Sequence, residues 1–191
     1  NVIANNADGL RVSTFYHKDR NGLVQMGPIW DFDRSMACDN DVRASDPEVW
    51  GLSDGEGGGD TRYFFHNGGP LWFRDLALND PDFWIVWVDR WQAMRNGPLS
   101  DVALDERIER YRMELSNAAI RNYDRWPGVL NSSEWSGKVD VMKNHVLTRA
   151  GWIDEQLIDP PVFSHAGGLV SSGLQLSISG PATKYYTLDG S

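Results

Sequence analysis

The chain has 191 residues and a formal net charge of −9. That length fits one main domain with room for an appendage, and the acidity argues against nucleic-acid binding, which needs a basic patch. Cys38 is the only cysteine, which excludes a disulfide framework and a cysteine-based zinc site, and no apolar run approaches the ~20 residues that span a membrane.

The chain opens on a polar stretch, Asn5-Asn6-Ala7-Asp8-Gly9-Leu10-Arg11. Residues 13–17 then read as a strand, Asn21-Gly22 as a tight turn and residues 23–26 as the returning strand. After the Gly27-Pro28 turn comes Ile29-Trp30-Asp31-Phe32-Asp33-Arg34. If residues 29–33 are extended, Trp30, Phe32 and Arg34 share one face and Asp31 and Asp33 the other, because a strand has a period of two. Two neighbouring carboxylates repel unless something positive lies between them. A hard cation such as Mg²⁺ suits them, since it takes one or two carboxylates plus the phosphates of a substrate. The order of a polar loop with Asp8, a short hairpin and a metal carboxylate is the order found in protein kinases.

Residues 39–46 begin like a calcium loop but place Arg43 and Ala44 where a ligand and a glycine are needed. They read as a solvated loop, so Asp41→Ala is expected to change little. Residues 51–60 are rich in Gly, Asp and Ser and lack the Gly-Lys-Ser/Thr ending of a phosphate loop. They read as a surface loop near the site, a candidate substrate lid. Lone Cys38, beside Met36 and Ala37, reads as a small buried hydrophobe. His17, His66, His145 and His165 show no paired metal spacing and read as surface or structural residues.

Beyond Asn67-Gly68-Gly69-Pro70 the pattern turns helical. A short helix covers residues 71–78. Asp80-Pro81 supplies a cap and a first-turn proline for a second helix running to about Arg95. Its stripe of Phe83, Trp84, Trp87 and Trp91 reads as core. Ser100 or Asp101 opens a third helix with an apolar face of Leu104, Ile108, Tyr111, Leu115 and Ala119, and its run of Glu106, Arg107, Glu109 and Arg110 reads as a solvated face. Ser133 is the expected cap of a last long helix, in which Val139, Met142, Val146, Ala150, Ile153 and Leu157 recur every three or four residues. Pro160-Pro161 reads as a stiff linker, and the tail alternates and turns like β-structure.

The run Asn6-x-Asp8-Gly9-x-Arg11-x-Ser13-Thr14-Phe15, then Lys18-Asp19-Arg20-x-Gly22, then Gly27-Pro28-x-Trp30-Asp31-Phe32-Asp33 resembles the core of the CotH kinase family. These are atypical, secreted protein kinases named after a spore coat protein. The resemblance continues through Trp72 to Trp91 and Arg149-x-x-Trp152-Ile153-Asp154, covering the first 155 or so residues. It implies an α+β fold, the C-terminal lobe of an atypical kinase, over residues 1–158, with a linker and truncated β-module over 159–191. The ending Tyr185-Tyr186-Thr187-Leu188-Asp189-Gly190-Ser191 resembles the small C-terminal module of chitobiases and many bacterial surface proteins.

The resemblance implies transfer of phosphate from ATP to Ser/Thr hydroxyls of a protein substrate, with Mg²⁺ or Mn²⁺ as cofactor and an extracellular or cell-surface location. It makes Asp8 the catalytic-loop carboxylate and Asp31 the metal ligand, with Asp33 assisting. Asn6 and Ser13 would hold the loop or complete a second metal site. One departure is Ser13, which stands where kinases carry a metal-binding Asn, and a hydroxyl is the weaker ligand. The chain starts on Asn and stops within a strand and turn, so it is expected to be a piece of a longer protein. The phosphate-covering loop and its Lys–Glu pair are expected upstream, and this piece alone is not expected to turn over. The alternatives are a surface or spore-coat binding or display protein with weakened catalysis on the same fold and, third, a metal-dependent glycosyltransferase, which also uses an Asp-x-Asp pair.

Overall fold

Among the described residues, regular structure is concentrated in residues 71–155. The computed structural model describes residues 1–10, 13–38, 41–50 and 71–187. In the first fifty residues, β1 (Tyr16–His17) pairs antiparallel with β2 (Gln25–Met26), Tyr16 opposite Met26 and His17 opposite Gln25. The hairpin lies where the Asn-Gly turn puts it, but its strands are shorter than expected. Ser13 has φ 51°, which breaks the extended backbone before β1 can begin at residue 13. A short 3-10 turn, Val42–Ala44, follows. The proposed lid (51–60), His66 and the turn at 67–70 lie outside the described residues.

Four helices follow among the described residues: α1 (Leu71–Asn79), α2 (Pro81–Arg95), α3 (Asp101–Arg125) and α4 (Ser132–Glu155). Asp80 caps α2, accepting from the N–H groups of Asp82 and Phe83 at 3.0 and 3.1 Å, and Pro81 opens the helix. Ser100 caps α3. Asn131, not Ser133, caps α4. Its side-chain oxygen accepts from the N–H groups of Ser133 and Glu134, and the Glu134 carboxylate accepts the N–H of Asn131 at 2.9 Å. That reciprocal box satisfies donors the helix leaves unpaired, and it requires the cap three residues before Glu134.

Helices α3 and α4 form an antiparallel hairpin. Lys143 meets Asp105 at 3.0 Å and Glu109 at 2.7 Å, Arg112 meets Asp140 and the Ser136 hydroxyl, and Leu104 packs on Val146 and Ala150. Glu109 is therefore half-buried between the helices rather than solvated. The apolar face of α3 is buried only at its start, and Tyr111 and Leu115 are exposed. The buried residues of α4 all lie between His145 and Ile153, so they cover the first turns of α3 and nothing further along.

Two small apolar clusters join the halves of the chain. Leu10 and Phe73 pack with Val2, Ala77, Phe83 and Trp87, while Leu104, Val146 and Ala150 pack with Ile3, Met36 and Leu99. The α2 aromatic stripe is core as expected: Trp84, Trp87 and Trp91 stack in sequence, and Trp91 is buried. Trp50 sits edge-on to both Trp87 and Trp152. Cys38 is half-buried rather than buried, its thiol donating to the Asp41 carbonyl at 3.8 Å.

Arg149 is the polar centre of this arrangement. It is fully buried and donates to the carbonyls of Val2, Pro47 and Val49 at 2.7 to 3.0 Å. One α4 side chain thus satisfies carbonyls in two irregular segments, one at Val2 and one at Pro47 and Val49. Asp154, a turn later, accepts from Trp91 Nε1 at 2.7 Å and Arg95 Nε at 2.8 Å, which fixes α4 to α2. The tail contributes β3 (Val162–Phe163) paired antiparallel with β4 (Ile178–Ser179). The fold is α+β, as expected, and no described helix is long and apolar enough to cross a membrane.

Candidate active site

The site grows from two loops stitched together by backbone hydrogen bonds. The N–H of Ala7 donates to the carbonyl of Arg34 at 3.1 Å, and the N–H of Met36 donates to the carbonyl of Ala4 at 2.8 Å. Residues 4–8 and 34–36 are thereby held side by side, although the hairpin separates them in sequence. The Asp8 loop is also closed internally. Asn6 is buried, its side-chain oxygen accepts the N–H of Asp8 at 3.2 Å, and its Nδ2 donates to Asn1 Oδ1 at 3.1 Å. A side chain on Gly9 would come within 2.8 Å of that same Asn1 oxygen, so the Asn1 side chain would have to shift to admit it.

The segment 29–33 is not a strand. Asp31 has φ 60°, the left-handed region that L-residues enter at a cost, and β2 ends at Met26. The two-face alternation expected for Asp31 and Asp33 is therefore lost. Both carboxylates are exposed, and what fixes Asp31 is a hydrogen bond from Ser13 Oγ to its Oδ2 at 2.9 Å. Trp30 packs edge-on against Phe15 of the hairpin arm, 6.2 Å between centroids. Arg34, expected on the aromatic face, turns instead toward Asp8.

Six non-glycine residues with positive φ occur among the described residues (Asn5, Leu10, Ser13, Asp31, Met36 and Ala37), and all lie in these two loops. Such conformations cost about 1–3 kcal/mol each and persist only where the surroundings over-determine them. Asn5 shows the means: it is buried, and its Nδ2 donates to the Asp46 carbonyl at 3.0 Å.

The structure also assembles a charged group that the sequence reading missed. Asp41 is buried, not solvated. Arg43 reaches it through Nε at 2.9 Å and a terminal nitrogen at 2.6 Å, and Arg34 Nε lies 3.3 Å away. The same terminal nitrogen of Arg43 meets Asp8 Oδ1 at 3.3 Å, and a terminal nitrogen of Arg34 lies 3.8 Å from Asp8 Oδ2. Hydrogen bonding from Arg43 holds the Asp41 carboxyl below the usual range, against the opposing effect of burial. The expectation that Asp41→Ala would change little does not survive this geometry. The removal would take away the carboxylate that Arg43 and Arg34 share beside Asp8. The signal was present as Asp41-x-Arg43, in which the carboxylate also accepts the N–H of Arg43 at 3.0 Å, a local turn that fixes both side chains.

The donors fit a hard cation. Asp31, Asp33 and the Ser13 hydroxyl offer oxygen ligands only. No cluster of three or more His, Cys, Asp or Glu suited to a metal occurs among the described residues. Mg²⁺ needs no such cage, because it keeps waters and takes phosphate oxygens. Arg11 and Val12 lie outside the described residues. Of the histidines, His17 and His165 are exposed. His145 is buried, and burial together with nearby Arg149 pushes its pKa down to about 4.

No curated protein and no solved structure matches the chain. The profile of one protein family, described as CotH kinase protein, matches residues 1–153. That match spans the Asp8 loop, the hairpin, the Asp31 segment, α1 to α3 and α4 as far as Ile153, and it carries a kinase-like function. The chain belongs to the CotH kinase family.

Proposed function

We propose that this chain is the phosphate-transferring lobe of an atypical protein kinase that acts on Ser/Thr hydroxyls of secreted or surface proteins. One observation carries the reading: the hydrogen bond of 2.9 Å from Ser13 to Asp31. It joins the position five residues after Asp8 to the carboxylate beyond the hairpin, the two places where a kinase catalytic loop and its metal carboxylate meet.

Asp31 would hold the metal, with Asp33 beside it and Ser13 orienting the carboxylate. A divalent cation bound there neutralises charge on the nucleotide phosphates. Asp8 orients the acceptor hydroxyl and takes its proton, while Asn6 holds the loop through the Asp8 N–H. The bond from the γ-phosphorus to the β–γ bridging oxygen breaks, a bond to the acceptor oxygen forms, and ADP leaves with the bonding pair. Residues 1–158 form this lobe. Residues 159–191 are read as a linker and the start of an accessory β-module of a surface protein.

Asp31→Asn is expected to lower Mg²⁺-dependent transfer from ATP by at least a hundredfold in the natural full-length chain. Equal activity in variant and parent would remove Asp31 from the metal site. The second reading, a binding or display protein on the same fold, is favoured by Ser13 at the position of the usual Asn. A folded full-length chain that binds no Mg·ATP would establish it.

A further inference from the structure

We propose that Arg34 grips the phosphoryl group during transfer and that Asp41 is the residue that positions it there. The inference rests on the kinase reading and adds to it a contact on the transferred group.

The placement is set by backbone. The carbonyl of Arg34 accepts the N–H of Ala7, the residue before Asp8, and Arg34 follows Asp31 by three residues. It therefore lies beside the carboxylate that takes the acceptor proton and, along the chain, one short turn from the one that holds the metal. The reacting phosphorus must pass between those two points.

The two arginines of the cluster are not equivalent. Arg43 is 12% exposed along its side chain, and its Nε and a terminal nitrogen are spent on Asp41 and Asp8. Arg34 is 44% exposed and is held by its inner nitrogen alone, Nε to Asp41 at 3.3 Å. Its terminal nitrogen lies 3.8 Å from Asp8, too far for a hydrogen bond. The guanidinium is thus docked from behind and open at its outer edge, the fork that binds two oxygens of a phosphate. The docking group is itself fixed: the Asp41 side chain is 4% exposed and is engaged by the side chain and the N–H of Arg43. Removing Asp41 would release Arg34 without touching any substrate atom.

During transfer Arg34 keeps all its protons. It donates hydrogen bonds to the equatorial oxygens of the moving phosphoryl group, where charge spreads in the transition state. The proton balance stays with Asp8. The contact is made to the γ-phosphate, so it discriminates ATP from ADP. A purely structural ion pair with Asp8 and Asp41 would not.

The test uses the natural full-length chain with Mg²⁺ and two probes, ADP and the β,γ-imido analogue of ATP, by calorimetry, with kcat and KM for transfer measured in parallel. Arg34→Gln is expected to weaken the imido analogue tenfold or more while leaving ADP affinity unchanged, and to lower kcat at least a hundredfold. Arg34→Lys should recover part of kcat. Asp41→Asn should shift the same two affinities in the same pattern by a smaller factor. Arg121→Gln, a charge loss on exposed α3, should change nothing. Equal loss for both nucleotides, or no loss, in folded Arg34→Gln overturns the inference while Asp31→Asn still abolishes transfer. A parent that binds neither nucleotide overturns the kinase reading, and this contact with it.

Discussion

The loops of residues 1–50 and the helices of residues 71–155 are held by different forces. The helices are self-specified. Each of α2, α3 and α4 carries its own cap, and α3 and α4 meet through Leu104, Val146 and Ala150 with ion pairs on the flank. The loops are specified from outside. Their backbone bends against its preferences at six non-glycine positions, and their carbonyls are bonded by buried side chains, Asn5 from within and Arg149 from α4. Helical structure tolerates local change because its hydrogen bonds are many and regular. A loop site built on a few buried polar groups concentrates its stability in them.

That contrast is sharpest at Arg149. Arg149→Met would leave the Val2, Pro47 and Val49 carbonyls without their donor. An unsatisfied buried group costs about 1–3 kcal/mol, and with partial relaxation we expect a loss of about 3–5 kcal/mol, read as a fall in the urea midpoint. A loss below about 1 kcal/mol would break the comparison, because the loops would then stand without α4.

His145, one turn before Arg149 on α4, gives the next effect. Its pKa is lowered to about 4 by burial and by Arg149, so it stays neutral in the fold while the unfolded chain takes a proton below about 6.5. Stability is therefore present above that pH, is lost as pH falls from about 6.5 toward 4, and levels off below. The full loss is roughly 3 kcal/mol. His145→Gln should flatten the stability–pH curve across that window relative to the parent, and parallel curves would show that His145 does not titrate there.

The smallest effect belongs to the helices. Asn131→Ala removes the capping box of α4 and should cost about 1 kcal/mol, seen as a modest drop in Tm with transfer activity and loop protection unchanged. If the loops lost hydrogen-exchange protection as well, α4 would not be the independent support described here.

The sequence by itself determined the helices, the hairpin position and the identity of the acidic residues. Asp80-Pro81, Ser100 and the recurring apolar positions 139, 142, 146, 150 and 153 act within a turn or two of their own backbone, so a linear reading finds them. It placed the α4 cap two residues late because Ser133 and Asn131 are both capable caps, and only the reach of Glu134 decides between them. The site was half legible. As candidates, Asp8 and Asp31 could be named from their order along the chain, and Asn6 and Ser13 from the family resemblance. The left-handed turn at Asp31, the burial of Asp41 and its hold on Arg34 and Arg43 could not. These depend on contacts between residues 4–8, 34–36 and 41–43, brought together by tertiary hydrogen bonds. A charged residue in a loop is solvated unless the fold closes over it, and only the tertiary structure decides that, because burial is a property of what packs around a residue and not of its neighbours in sequence.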